Sequence, residues 1–276
     1  MDSRIILLET STSLCSVALL EGNCITAMRV SDTPRAHAAL TAPFVEQVLA
    51  ERGLRVSDCS AVCLSMGPGS YTGLRVGSST AKGLCFGGGI PLLAVSTLEV
   101  LAAQAIEEGL PDGCRYIVPM IDARRMEVYS AVYSADGKQL TEVAPIVVEG
   151  IGSIGLPTAS LQDEAHFAPV RKGQSHSAGF TPPASCAEVP LAPVRKGQSR
   201  SVDFTTSGVL FIGDGVAKCE QLLAGQNRYF RQECPRADAM KSPALRHFAA
   251  GDFRDTAYFE PFYLKDFVAT VGKRLF

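Results

Sequence analysis

From Ser65 to Gly89 the chain reads SMGPGSYTGLRVGSSTAKGLCFGGG, directly after the apolar run Ala61-Val62-Cys63-Leu64. That order predicts a buried strand, a glycine turn and a helix over about 72–86. Gly77 and Gly83 fall inside the helix, where each costs about 1 kcal/mol against alanine. Two physical reasons would offset that cost. A bare Cα lets another helix or strand approach closely, and free N–H groups at a helix start receive an anion. The standard phosphate loops are missing. Gly73 is followed by Leu74 and Arg75 rather than Lys and Ser/Thr, and Gly67-Pro68-Gly69-Ser70-Tyr71 runs into Thr72 instead of a third glycine. There is no Gly-x-Ser-x-Gly nucleophile elbow either. Close packing is the favoured reading.

Composition narrows the class. Lys plus Arg is 26 against 28 Asp plus Glu, a net charge of −2, so no bulk basic charge points to nucleic-acid binding by the chain alone. The apolar part of MDSRIILLET is too short for a signal peptide, and no run of about 18 apolar residues could span a membrane. The nine cysteines include no Cys-x-x-Cys, and they read as buried free thiols in a reducing cytoplasm. A length of 276 residues suits about two domains.

Taken in order, 4–9, 15–20 and 25–30 read as strands, with Glu21-Gly22-Asn23 as a hairpin turn. Residues 36–52 read as a helix whose stripes Ala38, Ala42, Val45, Leu49 and Leu40, Phe44, Val48 span more than one surface face needs, which predicts burial on two sides, against the sheet and against something else; Pro43 marks a kink or a late start. Strands 61–65 and 92–95 alternate with the glycine helix and a helix over 97–107. The same order then begins again. Strands are expected at 116–121, 127–133, 139–143, 209–212 and 229–231, and helices at 216–223 and 239–250. The fold class expected is α/β, in two tandem halves at 1–109 and 110–276, each β-β-β-α-β-α-β-α. An insertion interrupts the second half at about 157–207. It carries APVRKGQS twice, at 168–175 and 192–199, and its low apolar content predicts a mobile segment. Its Arg171, Lys172, Arg195, Lys196 and Arg200 form a basic cluster, read as a solvated loop or as an accessory contact to RNA phosphates.

Several residues invite chemistry. Glu9 ends the first strand and is followed by Thr10, Ser11 and Thr12, where an acid and hydroxyls could face a nucleotide or its metal. The plainer reading is a polar cap on a strand end. Asp122 and Asp214 stand as partners of Glu9 in the second half, and Gly213-Asp214-Gly215 echoes Gly67-Pro68-Gly69. His37 has no histidine three or four residues away, so a histidine metal site is not expected there. Ser70 and Tyr71 lack a His/Asp companion for hydrolysis, and Arg124 suits an ion pair. No catalytic residue, metal site or cofactor is assigned.

The segments GPGSYTGLRVG (67–77), IPLLAVSTLEVLA (90–102), IDARRMEVY (121–129) and PFYLKDF (261–267) resemble the bacterial TsaB (YeaZ) family of tRNA threonylcarbamoyladenosine biosynthesis proteins. ETSTSLCSVALLEG (9–22) and LTAPFVEQVL (40–49) look like its first hairpin and first helix. The resemblance implies an actin/sugar-kinase/Hsp70-like (ribonuclease H-like) fold and a non-catalytic role. The family's catalytic paralogue, TsaD, transfers threonylcarbamoyl to adenosine 37 of tRNAs reading ANN codons, and the ATPase TsaE joins the complex. The implied partners are therefore TsaD and TsaE, a homodimer when the chain is alone, and tRNA through the complex only. The paralogue's His-x-x-x-His metal positions fall here on Thr97 and Leu101, which carry no imidazole. Glu9 stands where the family usually has Asp, and the insertion has no family counterpart. Docking is expected on the outer side of the 36–52 helix and the glycine helix. Gly73 and Gly77 would allow close approach, and Leu40, Phe44, Val45 and Leu49 apolar contact. Two rivals are an ATP-dependent transferase or kinase using Glu9, Thr10, Gly67, Gly69, Asp122, Gly213 and Gly215, and a metal-dependent glycoprotease.

Overall fold

The computed structural model describes residues 3–148 and 207–264. Its first sheet is built from β1 (Arg4–Glu9), β2 (Cys15–Glu21), β3 (Cys24–Ser31), β4 (Ala61–Ser65) and β5 (Leu92–Val95), in the order β3-β2-β1-β4-β5. β2 runs antiparallel to β1 and β3, while β4 runs parallel to β1 and β5. β1 is apolar almost throughout because it is central and covered on both faces. Its odd and even residues part company accordingly. Ile6 and Leu8 join Val17, Leu19, Val62 and Leu64 beneath α1 (His37–Ala50) and α2 (Tyr71–Gly88). Ile5 and Leu7 join Ala18, Leu20, Ala61 and Cys63 on the opposite face. Pro43 neither delays nor ends α1: the helix starts at His37 and runs through it, with the ring on the exposed side.

The second sheet repeats this order. β6 (Cys114–Asp122), β7 (Glu127–Ser130), β8 (Tyr133–Ser134), β9 (Ala144–Val147), β10 (Gly208–Ile212) and β11 (Arg228–Arg231) are arranged β11-β10-β6-β7-β9, with β8 on β6. β6, β10 and β11 are parallel and β7 is antiparallel to both neighbours, as in the first sheet. Two sheets of the same ribonuclease H-like order in tandem bear out the expected α/β class. Three details differ. The strand expected over 127–133 is split into β7 and β8. No strand covers 139–143; β9 follows it instead and pairs with β7. The helix expected over 216–223 is one turn of 3-10 helix, Val216–Lys218, followed by α4 (Glu220–Leu223). The helix position between β9 and β10, and most of the expected insertion with its basic cluster, lie outside the described residues.

The halves exchange helices. α3 (Thr97–Glu107) follows the first sheet in sequence, yet Leu98, Leu101, Ala102 and Ala105 pack on Ile117, Ile121, Leu210 and Ile212 of the second. Conversely, Ala237, Ala239, Met240 and, from α5 (Lys241–Ala249), Ala244 cover the free face of the first sheet. The expected division at 109/110 therefore separates the two sheets in sequence, while the packing crosses it. Of the described cysteines, Cys15, Cys59, Cys63, Cys85 and Cys219 are buried, but Cys24 is exposed.

An ion-pair cluster fastens α5 to α3. His247 lies 3.6 Å from Glu99 and 2.8 Å from Asp252, while Arg246 pairs with Glu99 at 2.9 Å. Glu99 first, then Asp252, raises the imidazole above its ordinary 6.5. A raised folded value means the stabilisation is complete below 6.5 and is lost as pH rises through the higher folded value. In melting experiments His247→Gln should therefore lower Tm more at pH 6 than at pH 8.5.

Candidate functional site

β1 delivers Glu9 to its C-terminal end, and the backbone then turns through Thr10, Ser11 and Thr12, all buried. α2 sits directly on this turn. Ser70 N–H donates to Ser11 O at 2.6 Å, and the Thr10 hydroxyl donates to Gly73 O at 2.8 Å. A Cβ at Gly69 would stand 2.3 Å from Ser11 O, at Gly73 2.0 Å from Thr10 O, and at Gly77 2.3 Å from Thr10 Oγ1. The glycines exist for close approach, but between α2 and its own chain. Gly73 and Gly77 are buried and face inward, so they do not supply the outward helix contact expected of them. Ser70 also caps α2 by accepting from Gly73 N–H, and Gly89 closes it at φ 64°. Gly67, at φ 111°, lies against Phe262 O, 2.8 Å from where a Cβ would be.

The Glu9 side chain is fully buried. Its Oε1 accepts from Ser11 N–H at 2.7 Å, and its Oε2 has no hydrogen bond. Burial drives the carboxyl up to about 7; the Ser11 and Ser65 hydroxyls beside it pull back only in part. Thr12 Oγ1 and Thr97 Oγ1 are likewise buried without a partner. The acid expected to face a nucleotide or its metal is thus buried at the strand end, beside a Thr10–Ser11 turn on which α2 is closely packed.

The second half repeats the arrangement in a more open form. Asp122 ends β6 and is exposed. Its Oδ1 accepts from Arg124 N–H at 2.6 Å and forms an ion pair with Lys218, while its own N–H donates to Asp214 Oδ1 at 2.9 Å. Burial raises the Asp214 carboxyl. A Cβ at Gly213, φ 137°, would lie 2.0 Å from Met120 O, and one at Gly215 would lie 2.9 Å from a Val128 methyl. This glycine turn, like the first, is pressed onto the strand end beside it. Arg124, Arg125 and Met126 follow with φ of 62°, 45° and 57°, three consecutive left-handed residues that no pattern in the sequence announced.

The apolar residues expected to dock a partner are mostly core. Phe44, Val45 and Leu49 are buried against the first sheet and Leu40 is half-buried, because α1 needs that stripe to cover β2 and β3. The solvent faces carry other residues: Ala38, Ala39, Ala42, Pro43 and Glu46 on α1, and Arg75, Ser79, Gly83 and Phe86 on α2. Phe86 is 90% exposed. Its signal was periodicity: Leu74, Ser78, Ala81 and Cys85 form the buried stripe, and position 86 falls off it. Thr97 and Leu101 are buried, Leu101 within the core under the second sheet. His37 is half-buried at the start of α1. Among the described residues no three His, Cys, Asp or Glu side chains gather as metal ligands, and no helix is long and apolar enough to cross a membrane.

Residues 31–270 match the family model described as TsaD: tRNA N6-adenosine threonylcarbamoyltransferase. The tRNA threonylcarbamoyladenosine biosynthesis protein TsaB of Escherichia coli K12 is 37% identical over 133 residues, 48% of this chain and 56% of that protein. Its Bacillus subtilis 168 namesake is 34% identical over 142 residues, 51% of this chain and 59% of that protein. The chain spans about half the length of the curated relatives it matches. The solved structure of YeaZ from Pseudomonas aeruginosa superposes with a TM-score of 0.68 at 25% identity, covering 95% of this chain and all of that one. The chain belongs to the TsaD family that this model describes, and it is similar to TsaB (YeaZ) proteins.

Proposed function

We propose that this chain is the non-catalytic scaffold subunit of a tRNA N6-threonylcarbamoyladenosine assembly in the cytoplasm. It binds and supports a catalytic TsaD paralogue acting on adenosine 37 of tRNAs reading ANN codons, with the ATPase TsaE as a further partner. One observation carries this reading. The Thr10–Ser11 turn, the place in this chain where a nucleotide was expected, is bonded to the chain's own α2, through Ser70 N–H on Ser11 O and the Thr10 hydroxyl on Gly73 O. A chain whose α2 is fixed to its own sheet in this way offers the outer side of that helix as a rigid surface for a partner. The names of the Escherichia coli and Bacillus subtilis relatives point to the same modification.

The docking face is the solvent side of α1 and α2. Phe86 is the anchor, and Gly83 gives the close approach first expected at Gly77, since nothing lies within 4 Å of its Cβ position. Without the partner, a second copy would cover the same apolar patch. Light scattering after size exclusion, with the chain alone and mixed with TsaD, tests this directly. A one-to-one complex at the expense of the homodimer is expected, and Phe86→Ala should weaken it by about 30-fold or more. Val45→Asp is no test of docking, because it buries a carboxylate in the core. Undiminished binding by Phe86→Ala, together with micromolar affinity for ATP and Mg²⁺ in calorimetry, would put the ATP-dependent rival ahead.

A further inference from the structure

The chain that leaves α5 does not stop at the sheet. Arg254 N–H donates to Leu92 O at 2.8 Å, an antiparallel bridge that covers the outer edge of β5. Phe259 packs into the core under α1 and α2. Phe262 N–H donates to Met66 O at 2.7 Å, and the Tyr263 ring lies 5.0 Å from that of Tyr71 on the first turn of α2. Residues 254–263 thus cross α2 from the β5 edge to the glycine turn. One α2 side chain holds the middle of the path: Lys82 Nζ donates to Ala257 O at 3.1 Å and to Phe259 O at 2.9 Å.

The segment is poorly buried for something so placed. It has no regular secondary structure, and Tyr258, Phe262 and Tyr263 remain 85%, 41% and 37% exposed. Segments with few buried apolar groups and backbone bonds near solvent open at free energies below that of global unfolding. α2 is consequently gripped from two sides of unequal strength. The inner grip is the Thr10–Ser11 turn under Gly73 and Gly77; the outer one is this segment.

We infer that residues 254–264 form a strap that opens and closes as a unit while the first sheet stays folded, and that Lys82 is its latch. When the strap is closed, Met66 O and Gly67 are covered and the first turn of α2 is fixed from outside. When it is open, that turn is held from inside only, by the Thr10–Ser11 contact, buried Leu74 and the Thr97 N–H bond to Gly67 O. This does not depend on what docks on α2.

Hydrogen exchange followed by mass spectrometry on the full chain, wild type and Lys82→Met, is the test. Methionine keeps the apolar stem and removes the ammonium that bonds both carbonyls. The expected result is exchange in peptides spanning 254–264 faster by about tenfold or more, with β1 and β4 peptides unchanged. Unchanged strap exchange in the variant would overturn the latch. Strap and sheet peptides accelerating together would overturn the independent strap. Phe259→Ala, which loosens the same segment from its core side, should give the same pattern.

Discussion

Replacing Gly73 by alanine will destabilise the fold by about 3 kcal/mol or more. The added carbon would stand 2.0 Å from Thr10 O, and that oxygen belongs to backbone that cannot swing aside. To admit it, α2 must lift off the turn, which breaks the Thr10 hydroxyl's bond to Gly73 O and the Ser70 N–H bond to Ser11 O. The internal control lies ten residues on. Gly83 is exposed in the same helix with nothing within 4 Å of its Cβ position, so Gly83→Ala should stabilise by about 1 kcal/mol. Urea unfolding of the two variants should therefore move the midpoint in opposite directions. If Gly73→Ala unfolded at the wild-type midpoint, the close packing of α2 on the turn would be refuted.

Glu9→Gln should make the protein more stable at pH 8 and leave it nearly unchanged at pH 4.5. The folded value of about 7 lies above the ordinary 4.5. The folded state holds the proton more tightly, so stability falls as pH rises from 4.5 through 7 and is level beyond. At about 1.4 kcal/mol for each pH unit, the interval amounts to about 3 kcal/mol. Glutamine keeps an oxygen for Ser11 N–H and carries no charge into the buried site. Denaturant midpoints from pH 4.5 to 8 should separate progressively, wild type falling below the variant. Parallel curves would mean that the carboxylate is better solvated than its full burial implies.

Much of the framework could be read directly from residue order. The strands Arg4–Glu9, Ala61–Ser65 and Leu92–Val95 and the helix Thr97–Glu107 fall where their apolar runs and flanking turn residues put them. Strong local patterns of this kind survive folding because no tertiary contact opposes them. The pairing of Glu9 with Asp122, and of the two glycine turns, was legible as repetition. The direction of the glycines was not. A bare Cα says that something comes close, not whether it belongs to the same chain, and only the Thr10 and Ser11 backbone positions decide it. That the helix is buried was legible, but that Val45 and Leu49 meet the sheet rather than a partner was not, because an apolar helix stripe looks the same whichever covers it. The break between β7 and β8 and the displaced β9 follow from pairing on β6 and β7, which no local pattern encodes.

The exchange of helices between the halves limits how the gene could be divided. A fragment ending at residue 109 would keep α3 but leave Leu98, Leu101 and Ala105 facing water, and its first sheet would lack the cover of Ala237, Met240 and Ala244. The complementary fragment would show the reverse defects. Neither piece could therefore complete its own core, so a plasmid encoding either one alone would yield a chain that lacks half of its cover.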